Sequence, residues 1–368
     1  MSYLPISADS HITEPPGCYV DRIDHAFRDR APHVVKTEER GDMFIIPGMK
    51  KPIPMGLIAA AGRDPKDLSF NTQNYEDMHR GGWDPAQRLL DQDRDGVFGE
   101  VIYPSVGMML CNHPDFDYKK ACFDAYNIWL QEFCDHAPDR LFGMAQMAMR
   151  SVDEGIEDLR RAKEMGFRGI MMPGNPQVED YDSPVYAPFF EAAIDLNMPL
   201  AFHILTTSGD GSSLKARGAK INGFQTIIRG CQDILGMLIF GGVFDRHPDL
   251  KVVCVEADAG WAPHWMYRAD HAYKRHRYWL TCDELQKMPS DYFRENIYLT
   301  FQDDWSAFRA KDDLNVERLM WANDFPHSDS TWPWSQEILD THTRHLSDYE
   351  KRRILHDNVK ELYNLPVQ

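Results

Sequence analysis

A short apolar run near the start of the chain reads Ile6-Ser7-Ala8-Asp9-Ser10-His11 and ends in two side chains of the kind that bind metals. Because they are two residues apart on a strand, Asp9 and His11 point to the same side. Much later, a second apolar run, Leu319-Met320-Trp321-Ala322, leads to Asp324. The first and last strands of a closed barrel are neighbours, so Asp324 would lie beside the other two. The two runs therefore predict a barrel whose metal site is built from both ends of the chain.

Apolar runs of strand length alternate with helical patterns along the rest of the chain. Such alternation predicts parallel strands with helical crossovers. At this length the simplest arrangement is an α/β fold of the (β/α)8 TIM-barrel type. An open doubly wound sheet is the alternative, but no glycine-rich phosphate loop follows the first run. The predicted strands are Ile6–His11, Glu100–Pro104, Phe142–Met149, Phe167–Met172, Pro199–Leu205, Lys251–Glu256, Ile297–Phe301 and Leu319–Ala322.

The composition limits the classes of function. The chain has 368 residues, of which 43% are hydrophobic, enough for a large core. Its formal net charge of −17 argues against binding to nucleic acid or to an anionic membrane surface. No apolar run approaches the roughly 20 residues that a membrane-spanning helix needs. The seven cysteines have no Cys-x-x-Cys spacing and follow no secretory signal, so we expect reduced thiols and a cytoplasmic location.

Two segments are additions to the strands and helices of a minimal barrel. Residues 12–84 form a long N-terminal insertion after the first strand, with a predicted hairpin at Met43–Met55. Residues 206–222 form a polar loop rich in Gly and Ser after the fifth strand. Loops at these strand ends lie over the mouth of a barrel, so we expect both segments to serve as a lid or to determine specificity. We interpret residues 1–368 as one barrel domain that contains the 12–84 insertion.

The carboxyl ends of the predicted strands carry further side chains of metal-ligand type. Taken singly, a histidine in an apolar strand is more often a hydrogen-bonded core residue, and an aspartate at a strand end is more often a helix cap. Their coincidence at four separate strand ends is hard to explain by packing alone, and it favours a site at the barrel mouth. These residues are Asp9, His11, Glu14, His203, Glu256, Asp258, Asp324, His327 and Asp329.

Several motifs give the chain a family resemblance. It resembles the amidohydrolase-related group, in the branch that holds the aminocarboxymuconate-semialdehyde and resorcylate decarboxylases. The resemblance runs along most of the chain and is specific for the family, but not for a substrate. The matching segments are Asp9-Ser10-His11-Ile12-Thr13-Glu14-Pro15, Phe202-His203, the segment from Phe240 to Leu250, Glu256-Ala257-Asp258-Ala259-Gly260-Trp261, Tyr292-Phe293-Arg294-Glu295-Asn296 and Trp321-Ala322-Asn323-Asp324-Phe325-Pro326-His327.

The resemblance implies a divalent metal at the barrel mouth, usually zinc or manganese, with a position left open for water or a substrate oxygen. The implied ligands are Asp9, His11, His203 and Asp324. One position departs from the pattern, because the decarboxylases of this family carry a histidine at the end of the sixth strand and this chain has Glu256. A glutamate can do the work of an imidazole near neutral pH only if its pKa is raised.

Charge counting favours a second ion if Glu14 and Glu256 join Asp9 and Asp324. Four carboxylates and one divalent ion leave a net charge of −2, whereas two ions neutralise the site. Since burial of an unpaired charge is costly, a second metal is then expected. A carboxylate-rich set suits iron or manganese at least as well as zinc. The alternative is that Glu14 or Glu256 only hydrogen-bonds a ligand histidine.

These observations favour a metal-dependent hydrolase or carbon–carbon lyase, decarboxylase-like, acting on a small carboxylated or carbonyl substrate. We expect Glu256 or Asp324 to move the proton and His327 to orient the substrate or to complete a second metal shell. One alternative is a dinuclear non-heme iron or iron/manganese oxygenase that hydroxylates a small substrate. The other is a non-catalytic subunit that pairs with a homologous enzyme. From the family we also expect a homo-oligomer or pairing with a homologous subunit.

Overall fold

The computed structural model describes residues 3–69, 74–207 and 218–367, and its main feature is a barrel of eight parallel strands. Each barrel strand pairs in parallel with the next barrel strand in sequence, so the predicted (β/α)8 barrel is confirmed. The strands are β1 (Ile6–His11), β2 (His33–Thr37), β3 (Gly41–Ile45), β4 (Ile53–Pro54), β5 (Gly99–Tyr103), β6 (Leu141–Gln146), β7 (Gly169–Met171), β8 (Leu200–His203), β9 (Val252–Val255), β10 (Ile297–Phe301) and β11 (Leu319–Trp321). Strands β2, β3 and β4 form a separate sheet, and the other eight form the barrel.

Helices cover the outside of the barrel. They are α1 (Gly17–Val20), α2 (Pro85–Asp95), α3 (Val106–Leu110), α4 (Phe116–Cys134), α5 (Val152–Glu164), α6 (Ala187–Asp195), α7 (Arg229–Phe240), α8 (Val243–Arg246), α9 (Ala262–His276), α10 (Pro289–Asn296), α11 (Trp305–Arg309), α12 (Ser335–His342), α13 (Asp348–Arg352) and α14 (Asn358–Leu362). Among the described residues, no helix has the length and apolar character to cross a membrane. Every residue of the eight barrel strands is buried, which explains why these strands appear in the sequence as nearly continuous apolar runs.

The first and last barrel strands meet through main-chain hydrogen bonds at the mouth. The N–H of Asp324 donates to the carbonyl oxygen of Asp9 at 3.0 Å, and the N–H of His11 donates to that of Phe325 at 2.7 Å. We call this junction of β1 with the chain just after β11 the seam. The barrel is therefore held closed at the residues that carry the predicted metal ligands.

Two predicted strands extend two or three residues beyond the observed ones at their carboxyl ends. The run Phe142–Met149 gives a strand that ends at Gln146, and the run Pro199–Leu205 gives one that ends at His203. Met149 and Leu205 have positive φ angles of 55° and 68°. A left-handed residue does not fit the extended backbone of a strand, so neither run can continue as a strand through its last residue.

The segment between β1 and α2 contains the separate sheet and reaches the barrel mouth. Strands β3 and β4 pair antiparallel, with Met43 opposite Pro54, as the hairpin prediction requires, and β2 extends the sheet. The N–H of Ala61 donates to the carbonyl of Pro326 at 3.0 Å, which joins this segment to the loop after β11. Its role as a lid stays a prediction. The predicted loop at 206–222 lies largely outside the described residues, since 208–217 are not described.

Candidate metal centre

Five of the predicted site residues come together at the mouth of the barrel. The Nε2 atom of His11 lies 3.4 Å from a carboxylate oxygen of Asp9, 3.4 Å from one of Glu256 and 3.3 Å from one of Asp324. The Nε2 atom of His203 lies 3.7 Å from Asp9 and 3.2 Å from Glu256. Asp9 and His11 belong to β1 and His203 to β8, whereas Glu256 directly follows β9 and Asp324 lies three residues past the end of β11, so four strands contribute.

The polar atoms of this group lack hydrogen-bond partners. In the part of the chain that the structure describes, the buried atoms without a partner include both carboxylate oxygens of Asp9 and of Asp324, Oε2 of Glu256 and Nε2 of both histidines. Burying so many unsatisfied polar atoms is costly unless something binds them. A zinc-like ion with ligand distances near 2.1 Å places neighbouring donor atoms roughly 3.0 to 3.5 Å apart, close to the separations found here. The donor atoms form two overlapping groups of four, Asp9, His11, His203 and Glu256 in one and His11, Glu256, Asp324 and His327 in the other, and each group fits a divalent ion.

Main-chain carbonyls orient both histidines. The Nδ1 atom of His11 lies 2.9 Å from the carbonyl oxygen of Pro104, and that of His203 lies 3.1 Å from the carbonyl oxygen of Ile204. An Nδ1–H that donates to a carbonyl leaves the Nε2 lone pair free to point into the group. The two imidazoles are thus held in the form that binds a cation.

Two of the carboxylates sit on left-handed backbone. Glu256 has a φ angle of 57° and Asp324 one of 53°, a conformation that costs free energy for residues other than glycine and that clusters at functional sites. The N–H of Glu256 is fixed by donation to the hydroxyl of Thr300 at 2.9 Å. The backbone thus turns sharply just where each side chain must face the mouth.

The pKa values of the two aspartates are shifted in opposite directions. For Asp9, burial alone would raise the pKa, but contacts with the His11 and His203 imidazoles hold it well below its ordinary value. For Asp324, burial dominates and raises the pKa well above its ordinary value. A bound cation would favour the ionised form of both side chains.

His327 lies against the group and is held on two sides. Its Nδ1 is 3.0 Å from an oxygen of Asp324, and its Nε2 is 2.9 Å from the hydroxyl of Ser105. That hydroxyl also lies 2.6 Å from the carbonyl oxygen of Ile12, to which it donates. The ring stacks on His11 with a centroid distance of 3.9 Å. Burial and the neighbouring His11 lower the pKa of His327 to about 3.

Side-chain exposure divides the group into two layers. Asp9, His11 and Asp324 are 0% exposed, whereas Glu256 is 13% and His327 12% exposed. The deeper side chains can face only an ion or each other. Glu256 and His327 are therefore the members that a substrate entering the mouth can touch.

The structure does not bring Glu14 into the group. Its carboxylate accepts hydrogen bonds from the N–H groups of Ser105, Val106 and Gly107 at 3.1, 2.9 and 2.9 Å, at the start of α3. Metal binding by Glu14 stays a prediction, and it is disfavoured because the first turn of this helix uses the carboxylate oxygens. Without Glu14, three carboxylates and one divalent ion leave a charge of −1 instead of −2, so charge neutrality favours a second ion less strongly than it does with four carboxylates.

Two residues that support the site were not among the predicted ones. Ser105 holds His327, and Arg88, from α2, contacts the main chain on both sides of the seam. Neither stands out in the sequence, because a serine after a strand and an arginine in an amphipathic helix are common on protein surfaces. Only the tertiary structure shows that Ser105 is 2% and Arg88 0% exposed.

Known proteins share this sequence pattern and fold. The chain is similar to gamma-resorcylate decarboxylase of Rhodococcus jostii, with 25% identity over 258 residues, which cover 64% of this chain and 74% of that protein. This agrees with the branch that the motifs indicate. It lends no support to the oxygenase alternative.

Solved structures show the same fold over nearly the whole chain. An amidohydrolase from Mycobacterium avium subsp. paratuberculosis superposes with a TM-score of 0.79 at 19% identity, covering 99% of this chain and 100% of that one. The 5-carboxyvanillate decarboxylase from Novosphingobium aromaticivorans, solved with manganese and 4-hydroxy-3-methoxy-5-nitrobenzoic acid, gives a TM-score of 0.68 at 19% identity, covering 99% and 96%. The Amidohydrolase family model matches residues 9–365. The chain therefore belongs to the amidohydrolase family.

Proposed function

We propose that the chain is a metal-dependent decarboxylase of small carboxylated aromatic compounds. The observation that carries this proposal is the group of buried, unpartnered donor atoms at the barrel mouth. The similarity to gamma-resorcylate decarboxylase supports the reaction type. A carbon–carbon lyase of this kind needs a cation to bind the substrate and a side chain to deliver a proton, and the mouth offers residues for both.

The residues proposed to hold the ion are the deepest ones. They are Asp9, His11, His203 and Asp324. When bound, a divalent ion supplies Lewis-acid chemistry toward a substrate oxygen. Manganese is the ion we favour, since a structural neighbour contains it and the set mixes carboxylates with imidazoles. Zinc satisfies the same donor set.

The reaction replaces a carboxylate on a ring carbon by a proton, so that carbon dioxide leaves and one proton is taken up. We assign the delivery of that proton to Glu256, which faces the mouth and stands where the family's decarboxylases carry a histidine. Asp324 is the other carboxyl group near the reacting position, but it is fully buried. His327, held by Ser105, forms a wall against which an aromatic ring can be oriented.

Hydrolysis is the second reaction that the site supports. Glu256 in place of a histidine favours it, because a carboxylate at the mouth can act as the general base for an attacking water. The substrate would then be a small ester, lactone or amide that carries a carboxylate. Product analysis separates the two reactions, since only decarboxylation releases carbon dioxide.

Other properties stay predictions. They include one ion rather than two, iron as the metal of a two-ion site, assembly into a homo-oligomer and a cytoplasmic location. The alternative of a non-catalytic subunit loses force, because the donor group is complete within one chain. Equilibrium sedimentation and metal analysis of purified protein address the first three.

Carbon dioxide release tests the proposed function. The purified chain, loaded with Mn²⁺, is incubated with a panel of dihydroxybenzoates and 5-carboxyvanillate, and evolved CO₂ and the decarboxylated phenol are measured. We expect turnover of at least one such compound, loss of it in His11→Ala, and retention in Asp340→Asn, whose side chain lies in α12 and is 74% exposed. Hydrolysis of carboxylated esters with no CO₂ from any aromatic acid would favour the hydrolase instead.

A further inference from the structure

Arg88 is a fully buried arginine at the seam of the barrel. It lies on α2, the helix that precedes β5, and its side chain is 0% exposed. Burying a guanidinium is expensive unless its donors are all used and its charge is paired. The hydrogen-bond partners of this side chain therefore identify the parts of the structure that it stabilises.

The donors of Arg88 go mainly to main-chain carbonyls around the proposed metal ligands. One terminal nitrogen donates to the carbonyl oxygen of His11 at 2.7 Å and to that of Gly81 at 3.1 Å. The other donates to the carbonyl of Phe325 at 3.3 Å, and the guanidinium lies 4.7 Å from the centroid of the Phe325 ring. His11 and Phe325 belong to opposite ends of the chain, and one planar group bridges them.

A buried carboxylate balances the charge. The Nε of Arg88 hydrogen-bonds to Glu100, which is 1% exposed and also accepts from Gln92 at 2.8 Å and from Asn323 at 3.1 Å. Asn323 immediately precedes Asp324 in the chain, and its side-chain oxygen accepts from Ser10 at 2.8 Å. The bonded network thus reaches the residue next to a ligand on each side of the seam.

We propose that Arg88 is a positioning residue that sets the relative placement of His11 and Asp324. It does so by fixing the carbonyls of His11 and Phe325, while the main-chain bond from His11 to Phe325 fixes the same two residues from the other side. This inference rests on the proposed function, because it assumes that His11 and Asp324 bind one ion. The hydrogen bonds of Arg88 go to Glu100 and to main-chain carbonyls, and none goes to a donor atom of the metal-binding group.

The guanidinium is the group that this role requires. Its donors spread in a rigid plane, so it can reach acceptors on two chain segments and a carboxylate at once. Lysine has the same charge but places its donors on one nitrogen. Arg88→Lys therefore keeps a cation beside Glu100 and loses the simultaneous hold on both sides of the seam.

The test compares Arg88→Lys with Arg140→Lys as a matched control. Arg140 also donates to main-chain carbonyls, Phe98 at 2.7 Å and Val97 at 3.3 Å, but it lies near the start of β5 and β6, at the opposite end of the barrel. Mn²⁺ affinity and the electron paramagnetic resonance spectrum of bound Mn²⁺ are measured for each full-length variant after its fold is checked by circular dichroism. A merely structural role would not change the Mn²⁺ spectrum of a folded variant.

We expect Arg88→Lys to weaken Mn²⁺ binding by about tenfold or more, the size of effect seen when a partner of a metal ligand is removed, and to change the spectrum. Arg140→Lys is expected to bind as the wild type does. If Arg88→Lys does not fold, the charge-neutral double variant Arg88→Met/Glu100→Gln takes its place with the same expectation. Wild-type affinity and spectrum in the folded Arg88 variant would overturn the inference, whereas failure of the wild type to bind Mn²⁺ would overturn the proposed function.

Discussion

The N–H of Asp324 donates a hydrogen bond of 3.0 Å to the carbonyl oxygen of Asp9. Two carboxylates from the two ends of the chain are thereby fixed next to each other through the main chain, before any ion is considered. The hydrogen bonds that close the barrel at this point also set the relative positions of these two side chains. A change that loosens the seam is therefore expected to act on metal binding and on stability together.

Glu14→Gln tests the exclusion of Glu14 from the metal site. Glutamine replaces one acceptor oxygen with an NH₂ group that faces the N–H donors at the start of α3, so we expect a loss of about 1–3 kcal/mol in the free energy of unfolding. Mn²⁺ affinity is expected to stay close to that of the wild type. Urea unfolding and metal titration measure the two quantities, and a large loss of metal with unchanged stability would return Glu14 to the ligand set.

Ser105→Ala tests the support of His327. The variant removes the bond to the imidazole and leaves the carbonyl of Ile12 without that donor, at a cost of about 1–3 kcal/mol in stability. We expect kcat to fall by about tenfold or more, because His327 no longer keeps one orientation at the mouth. Ser335→Ala is the control, since Ser335 is equally buried and donates to Asp95 at 2.7 Å, outside the metal-binding group. Equal kcat in the two variants would contradict the role of Ser105.

Lys119→Met tests a buried charge in α4. The Lys119 ammonium sits 3.7 Å from the Phe116 ring centroid, and no carboxylate of the described residues forms an ion pair with it. Burial lowers the pKa of Lys119 to about 8 from an ordinary 10.5. The folded state therefore disfavours the proton. The resulting penalty is absent above the unfolded pKa and grows as the pH falls through the interval to the folded pKa.

The variant is thus expected to be more stable than the wild type near neutral pH, by up to about 3 kcal/mol, and the difference should shrink as the pH rises from about 8 toward 10.5. Urea unfolding of both proteins across that interval measures it. Lys120→Met serves as the comparison. Lys120 forms ion pairs with Asp124 and Asp158, so its replacement should lower the free energy of unfolding of the protein. A Lys119→Met variant that is less stable than the wild type at every pH would contradict the claim that the buried charge of Lys119 destabilises the folded protein.

The barrel could be predicted because its strands are buried on every side. Parallel strands covered by helices leave long apolar runs in the sequence, and each predicted run overlaps an observed strand. The ends of the strands could not be predicted as well. They depend on local left-handed residues such as Met149 and Leu205, which no apolar pattern reveals.

The metal-binding group could be predicted best where its side chains are part of a strand. Asp9, His11 and His203 lie on strands, so their direction follows from the alternation of side chains. Glu14 and Asp324 each lie three residues past the end of a strand, where alternation no longer fixes a direction; the backbone after β11 turns Asp324 toward the mouth, whereas Glu14 faces the N–H groups of α3. Arg88 acts through carbonyls from distant segments, a relationship that exists only in the folded chain.

The metal content of purified protein tests whether the side chains at the barrel mouth bind a divalent ion. Wild type and Asp324→Asn are stripped of metal, dialysed against the same excess of Mn²⁺, separated from free ions and analysed by inductively coupled plasma mass spectrometry. Asparagine keeps the size of the side chain and tolerates the left-handed backbone at this position, so folding should survive. We expect one ion or more per wild-type chain and far less in the variant. A wild type that binds no divalent ion, or a variant that binds as much, would contradict this expectation.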